Sequence, residues 1–331
     1  MSSKDIVKFS SKSVFIHLKM LFFLFLIILA QFSFQLRGKE KKVGIFETDN
    51  SINSMLTFYK TQGIITDPGK YEYLYNEFPG DVSKLVKIAQ GLLIHIFHAH
   101  RYGVRLSEER KQEVNIRKVE DMLKRIKDMD DHPIVFTRTL QNRLVGNCRD
   151  YSVFMCSLLR YKGIPARARC GFATYFTPGK YEDHWVCEYW SENENRWVMI
   201  DPQLDSVQIK ALNIDFNVFD VPPGKFLTAG ETWNLCRNGE LDPSLCGIFD
   251  LRGLWFVRGN ILRDLMALNK LEVLPWDCNE FMLNDTIISP EENDLLDKIA
   301  NLTRKGTMSF NEYRYIYESF KILHMPEDWK P

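Results

Sequence analysis

The chain has 331 residues, enough for one large domain or two small ones. An apolar fraction of 45% supports a sizeable core, and 43 Lys and Arg residues balance 43 Asp and Glu. That balance excludes the basic excess of a nucleic-acid binder and the acidic tail of a solvating chain. In chain order, the run from Met20 to Ala30 is unbroken and apolar, within a broader run over residues 14–36. The unbroken part has the length of a signal-peptide core, and the broader run just reaches the length of a spanning helix. The bulky residues Gln31 to Gln35 leave no small-residue cleavage site, which favours an uncleaved single-pass anchor over a cleaved signal. A dispensable extension on a cytoplasmic protein is the alternative. Lysines and arginines stand on both sides of the run, so its charges assign no orientation.

Residues 1–42 are read as this hydrophobic segment and its polar linker, residues 43–290 as the main domain, and residues 291–331 as a C-terminal helical extension. Short helical pieces are expected over Ser51–Tyr59 and Tyr71–Tyr75. Asp81 reads as an N-cap, and the apolar spacing from Val82 through Phe97 predicts a helix that Gly103 breaks. His95 and His98 share a face there and could hold a metal. No third ligand is suitably spaced, so partly buried histidines at a helix end are the preferred reading. A second amphipathic helix is expected from Ser107 through Ile126.

The segment Gly146-Asn147-Cys148-Arg149-Asp150 then ends a polar loop and opens an apolar helical run that stops at Lys162-Gly163. A cysteine at a helix start faces unpaired N–H groups and the dipole, which favour a thiolate. Arg167 to Phe176 reads as a strand, and His184 to Trp190 alternates cleanly. Ser191 to Asn195 is a hairpin loop, returning as Arg196 to Asp201. A turn centred at Glu192-Asn193 would set His184 opposite Asp201, within reach of an imidazole–carboxylate hydrogen bond. Further helices are expected over Thr228–Cys236, within Arg252–Leu271 and over Pro290–Leu302. The chain has seven cysteines and no CxxC pair, which suits reduced thiols and a chain without a zinc ribbon. Cys156, Cys170 and Cys187 read as small buried hydrophobes.

These residues resemble a known group. Val145 to Asp150, then Gly163-Ile164-Pro165-Ala166-Arg167, then Asp183-His184-Trp185-Val186, then Arg196 to Pro202 resemble the transglutaminase-like superfamily, over Val145 to Leu204. The flanks, His95 to Arg101 and Trp255 to Leu274, look like a microbial branch of it. The resemblance implies an α+β, papain-like fold, with helices packed on an antiparallel sheet and the cysteine at the N-terminus of a central helix. It also implies Cys148 as nucleophile, His184 as base and Asp201 as the group orienting His184. The expected activity is thiol-dependent acyl transfer or hydrolysis on carboxamide or peptide bonds, with an amide-bearing protein or peptide as substrate. The other reading is a non-catalytic module that binds a peptide or cell-wall fragment in the same cleft. No cofactor or metal is implied. A polar side chain within Gln141 to Arg143 is a positional guess for an oxyanion donor. Trp185, Trp190 and Trp197 read as core residues rather than as a substrate groove.

Overall fold

The alternating segment around His184 is the spine of the fold. The computed structural model describes residues 45–305 and 309–331. The hydrophobic segment over residues 14–36 lies outside the described residues, and among the described residues no helix is long and apolar enough to cross a membrane. Residues 50–331 form one compact unit, which includes the C-terminal helices.

Helix α1 (Ile45–Lys60) opens the described chain, and α2 (Val82–Leu92) follows. Asp81 caps α2 by accepting from the Lys84 amide at 2.9 Å. The helix predicted to reach Phe97 stops at Leu92, because strand β1 (Leu93–His95) pairs in parallel with β2 (Leu144–Gly146). All three β1 residues are buried, so pairing and burial override a periodicity that would have left one face of a helix exposed. The helix expected from Ser107 is also interrupted. It becomes α3 (Glu108–Lys111), a 3-10 turn over Gln112–Asn115, and α4 (Val119–Met129). The cause is Glu113, a buried carboxylate that accepts from Arg110 Nε at 2.7 Å, Arg125 Nη2 at 2.7 Å and the Val145 amide at 2.9 Å. A carboxylate satisfied by groups from three segments must turn inward, and the backbone bends there to allow it.

Helix α5 (Cys148–Tyr161) ends as expected, with Gly163 in the left-handed conformation at φ +72. Then come strands β3 (Ala166–Ala173), β4 (Tyr181–Ser191) and β5 (Arg196–Ile200). After α6 (Ser206–Leu212), strand β6 (Phe226–Thr228) leads into α7 (Ala229–Arg237). Strands β7 (Cys246–Ile248) and β8 (Leu251–Arg252) precede α8 (Leu254–Leu268), and α9 (Pro290–Lys305) and α10 (Phe310–Ser319) close the chain. The sheet runs β6-β3-β4-β7-β8, with β5 on the far half of β4. All its pairings are antiparallel except β4 with β7. This is an α+β chain whose sheet is antiparallel in the main.

Alternation along β4 decides the packing. Trp185 and Cys187 enter one core with Ala166, Ala168 and Cys170 of β3 and with Phe154 and Leu158 of α5. Glu188 instead meets Arg167 and Arg169. A second core joins α7, α8, α9 and α10 to Met55 and Tyr59 of α1. Gly171 sits where β3 passes closest to β6: an added Cβ would stand 2.1 Å from the Leu227 carbonyl oxygen. Only glycine lets those backbones approach so closely. All seven cysteines are free, and Cys156, Cys170 and Cys187 are fully buried.

Candidate active site

The parallel β1–β2 pair delivers the chain to Cys148. Asn147 caps α5: its Oδ1 accepts from the Arg149 amide at 2.9 Å, and Asp150 Oδ2 accepts from the Asn147 amide at 2.8 Å. This capping box holds the first turn, where Cys148 is the first residue. Arg149, fully buried, ties that turn down by donating from Nε to the Glu272 carbonyl at 2.9 Å and from Nη2 to the Arg117 carbonyl at 2.8 Å.

His184 and Asp201 meet directly. His184 Nε2 lies 2.8 Å from Asp201 Oδ2, and both residues are buried. The route differs from the expected register. The ladder runs from Ser191↔Arg196 to Cys187↔Ile200, so the turn is centred one residue later than Glu192-Asn193. Continued one step, that ladder sets Asp201 opposite Val186 rather than His184. His184 and Val186 share strand parity, so the two side chains still meet, diagonally. Asp201 has two further partners: Tyr175 Oη donates to Oδ2 at 2.6 Å, and the Gln203 amide donates to Oδ1 at 3.1 Å. Tyr175 was not legible as a site residue, since it stands in the loop after β3 with no motif around it. The rings of Tyr175 and Phe176 flank His184 edge-on, at 5.9 and 4.9 Å between centroids.

Cys148 and His184 line one cavity of about 490 Å³; Asp201 stands behind His184 rather than on the wall. Cys148 is 9% exposed. Burial pushes its thiol well above the usual range, the Asp183 carboxyl pushes the same way, and the Trp185 backbone N–H pulls against both. Desolvation thus opposes the thiolate that the helix start favours. Asp183 accepts from Asn260 Nδ2 at 2.8 Å, and burial raises its own pKa.

His95 and His98 line the same cavity, their rings stacked 4.6 Å apart at 25°. They leave the helix face on which a metal pair was considered, and no group of His, Cys, Asp or Glu suited to a metal occurs among the described residues. Burial, then His98 and His184, hold His95 well below the ordinary histidine range. Burial first, then Arg101, lowers His98 to about 4. Gln141, Asn142 and Arg143 do not line the cavity, so the positional guess for an oxyanion donor fails; the polar groups on its wall include Asn147 and Gln203. Trp185, Trp190 and Trp197 are absent from that wall as well. The cavity's tryptophan is Trp276, which follows α8.

The histidine pair sets an acid response. An unfolded histidine binds its proton near pH 6.5, whereas His98 in the folded chain does so only at about 4. Between those values the unfolded state holds more protons, so stability falls as pH falls through that window. The urea midpoint is expected to drop between pH 7 and pH 4.5, and to drop less in His98→Gln. An equal drop in both proteins would remove His98 from this account.

Comparison with curated proteins gave no match, and comparison with solved structures gave none either. Among protein families, residues 104–202, from the turn before α3 to Pro202 beyond β5, match the family model of the transglutaminase-like superfamily, and this matched segment holds Cys148, His184 and Asp201.

Proposed function

We infer that this chain is a thiol-dependent enzyme acting on carboxamide or peptide bonds, with Cys148 as nucleophile, His184 as general base and Asp201 as the group that orients His184. The observation that carries this reading is a single arrangement. The cysteine at a capped helix start shares a cavity wall with a histidine whose Nε2 is held by a buried aspartate at 2.8 Å. On this reading the site has the papain-like arrangement that the resemblance implies.

An ionised Asp201 only accepts hydrogen bonds, so Nε2 carries its hydrogen and Nδ1 is the basic nitrogen. The Cys148 S–H proton passes to Nδ1 as sulfur attacks the amide carbonyl carbon. The tetrahedral oxyanion is met by the first-turn N–H of Cys148, which a helix start leaves without an intrahelical partner. The C–N bond then breaks, the imidazolium gives its proton to the leaving nitrogen, and a thioester remains on Cys148. Water or an amine, deprotonated by His184, attacks the thioester and frees the thiol. Asp201, fixed by Tyr175 and the Gln203 amide, stabilises the imidazolium in both halves. Because the resting thiol is raised, thiolate forms together with attack and depends on His184. An amide-bearing protein or peptide is the proposed substrate.

The raised thiol is also the one observation that favours the second reading, a cleft that binds without turnover. The rate of Cys148 alkylation by iodoacetamide, followed by mass spectrometry on the full chain, separates the two. With His184 as base, His184→Ala slows labelling near neutral pH by roughly 10²-fold. Equal rates in the two proteins would leave a binding module.

A further inference from the structure

The cavity around Cys148 is built for more than an amide. Its rim carries large apolar side chains that are open to solvent: Phe97 (45% exposed), Phe249 (62%) and Trp276 (45%). Together they form an apolar surface of the kind that marks a ligand groove. Phe249 is the most informative. It sits at the tip of the β7–β8 hairpin, between the paired residues Ile248 and Leu251, with φ +50. That left-handed conformation belongs to Asn, Asp or Gly in tight hairpins and is unfavourable for a bulky ring. Its ring is not repaid by burial. It stands over the cleft mouth, edge-on to Phe97 at 5.1 Å between centroids and 90° between planes. A strained, exposed aromatic at such a place points to a ligand contact.

The charges on the wall add a second requirement. Arg252 spends its guanidinium on Glu182, at 2.8 and 2.9 Å. Asp183 accepts from Asn260 and lies in the field of the Arg263 guanidinium, which compensates its charge. His95 and His98 stay neutral near neutral pH. Arg101 also lines the cavity, and among the described residues it has no ion pair and no side-chain hydrogen bond. The uncompensated charge facing the cleft is therefore positive, beside stacked rings.

Resting on the Cys148 reading above, we propose that the substrate presents an aromatic side chain to Phe97, Phe249 and Trp276 and a carboxylate to Arg101. The acceptable ligand class is an amide-bearing peptide with an aromatic residue next to either its terminal carboxylate or an acidic side chain. Arginine recognises both by the same paired, charge-assisted hydrogen bonds.

The test uses iodoacetyl compounds that alkylate Cys148 in the full chain, with rates read by mass spectrometry. N-iodoacetyl-phenylalanine is expected to label Cys148 roughly tenfold faster than N-iodoacetyl-alanine, which lacks the ring. It is expected to label about tenfold faster than N-iodoacetyl-phenylalanine amide, which lacks the anion. Arg101→Gln should erase the second preference and keep the first; Phe249→Ala should weaken the first and keep the second. Both positions are solvent-facing, and far-UV circular dichroism confirms that each variant folds. N-iodoacetyl-aspartyl-phenylalanine amide moves the anion to a side chain, and its rank decides between a terminal and a side-chain carboxylate. Equal rates across the series, preferences that survive both variants, or faster labelling by a lysine amide would overturn the proposal. Failure of the Cys148–His184 reading shows separately, as an iodoacetamide rate that ignores His184→Ala.

Discussion

Cys148→Ala is expected to abolish the burst of p-nitrophenol, one equivalent per chain, that the proposed thioester mechanism predicts for the wild-type chain with p-nitrophenyl acetate. The ester acylates an activated cysteine without requiring the natural substrate, so the burst counts functional thiols. Six other cysteines serve as an internal control, and several of them are fully buried away from the cavity. His184→Ala keeps the thiol but slows the burst by about 10²–10⁴-fold, the usual worth of a positioned base. Asp201→Asn is the sharper variant. It preserves shape and the Gln203 amide bond at Oδ1, but an amide group facing Nε2 can donate and so favours the other imidazole tautomer. The burst should slow by about 10²-fold or more, with little change in the urea midpoint. A full burst in Cys148→Ala would place the reactive nucleophile elsewhere.

Asp264→Ala is expected to destabilise the fold by about 3–5 kcal/mol, the cost of leaving a buried charge without its partner. Asp264 is fully buried on α8 and takes Arg169 of β3 in a two-point grip, Nε to Oδ1 at 2.9 Å and Nη2 to Oδ2 at 2.8 Å. Its Oδ1 also accepts from the Cys170 amide at 2.9 Å. The truncation therefore strands a guanidinium and a backbone N–H together, against the strand that pairs with His184 at Gly171. Arg169 retains Glu188, 3.2 Å from Nη1, but Glu188 is shared with Arg167 at 2.6 Å. Urea unfolding measures the loss. The double variant Arg169→Met with Asp264→Leu removes both charges and should recover part of it, because a buried pair replaced by apolar groups of similar size is often neutral. A single variant as stable as wild type would mean that the pair contributes nothing to holding α8 on the sheet.

Much of the site's local chemistry was legible in the chain. The polar-to-apolar change at Asn147-Cys148 marks a helix start, and Asp150 three residues after the cap completes the box. Period-two alternation along β4 put His184 and Glu188 on one side and Trp185 and Cys187 on the other, as found. The His184–Asp201 contact followed from the same parity even though the turn lies one residue later than expected. A shift of two positions keeps the face, so the contact tolerates an error that a shift of one would not.

Other features had no signature in the sequence. Strands β1, β2, β6 and β7 are three residues each, too short for any period to register. They exist because distant segments supply their hydrogen bonds. The first of them ends the helix after Leu92 and carries His95 to the wall of the cavity that holds Cys148.

By itself the sequence determined the helix start at Cys148, the strand parity that joins His184 to Asp201, and the apolar faces that must be buried, because each is written in neighbouring residues. Tertiary structure alone decided that Cys148 is desolvated, that Tyr175 braces Asp201, and that Phe249, Trp276 and Arg101 shape the cavity mouth. Desolvation and cavity shape come from atoms that are remote along the chain and close in space, and no local periodicity reports them.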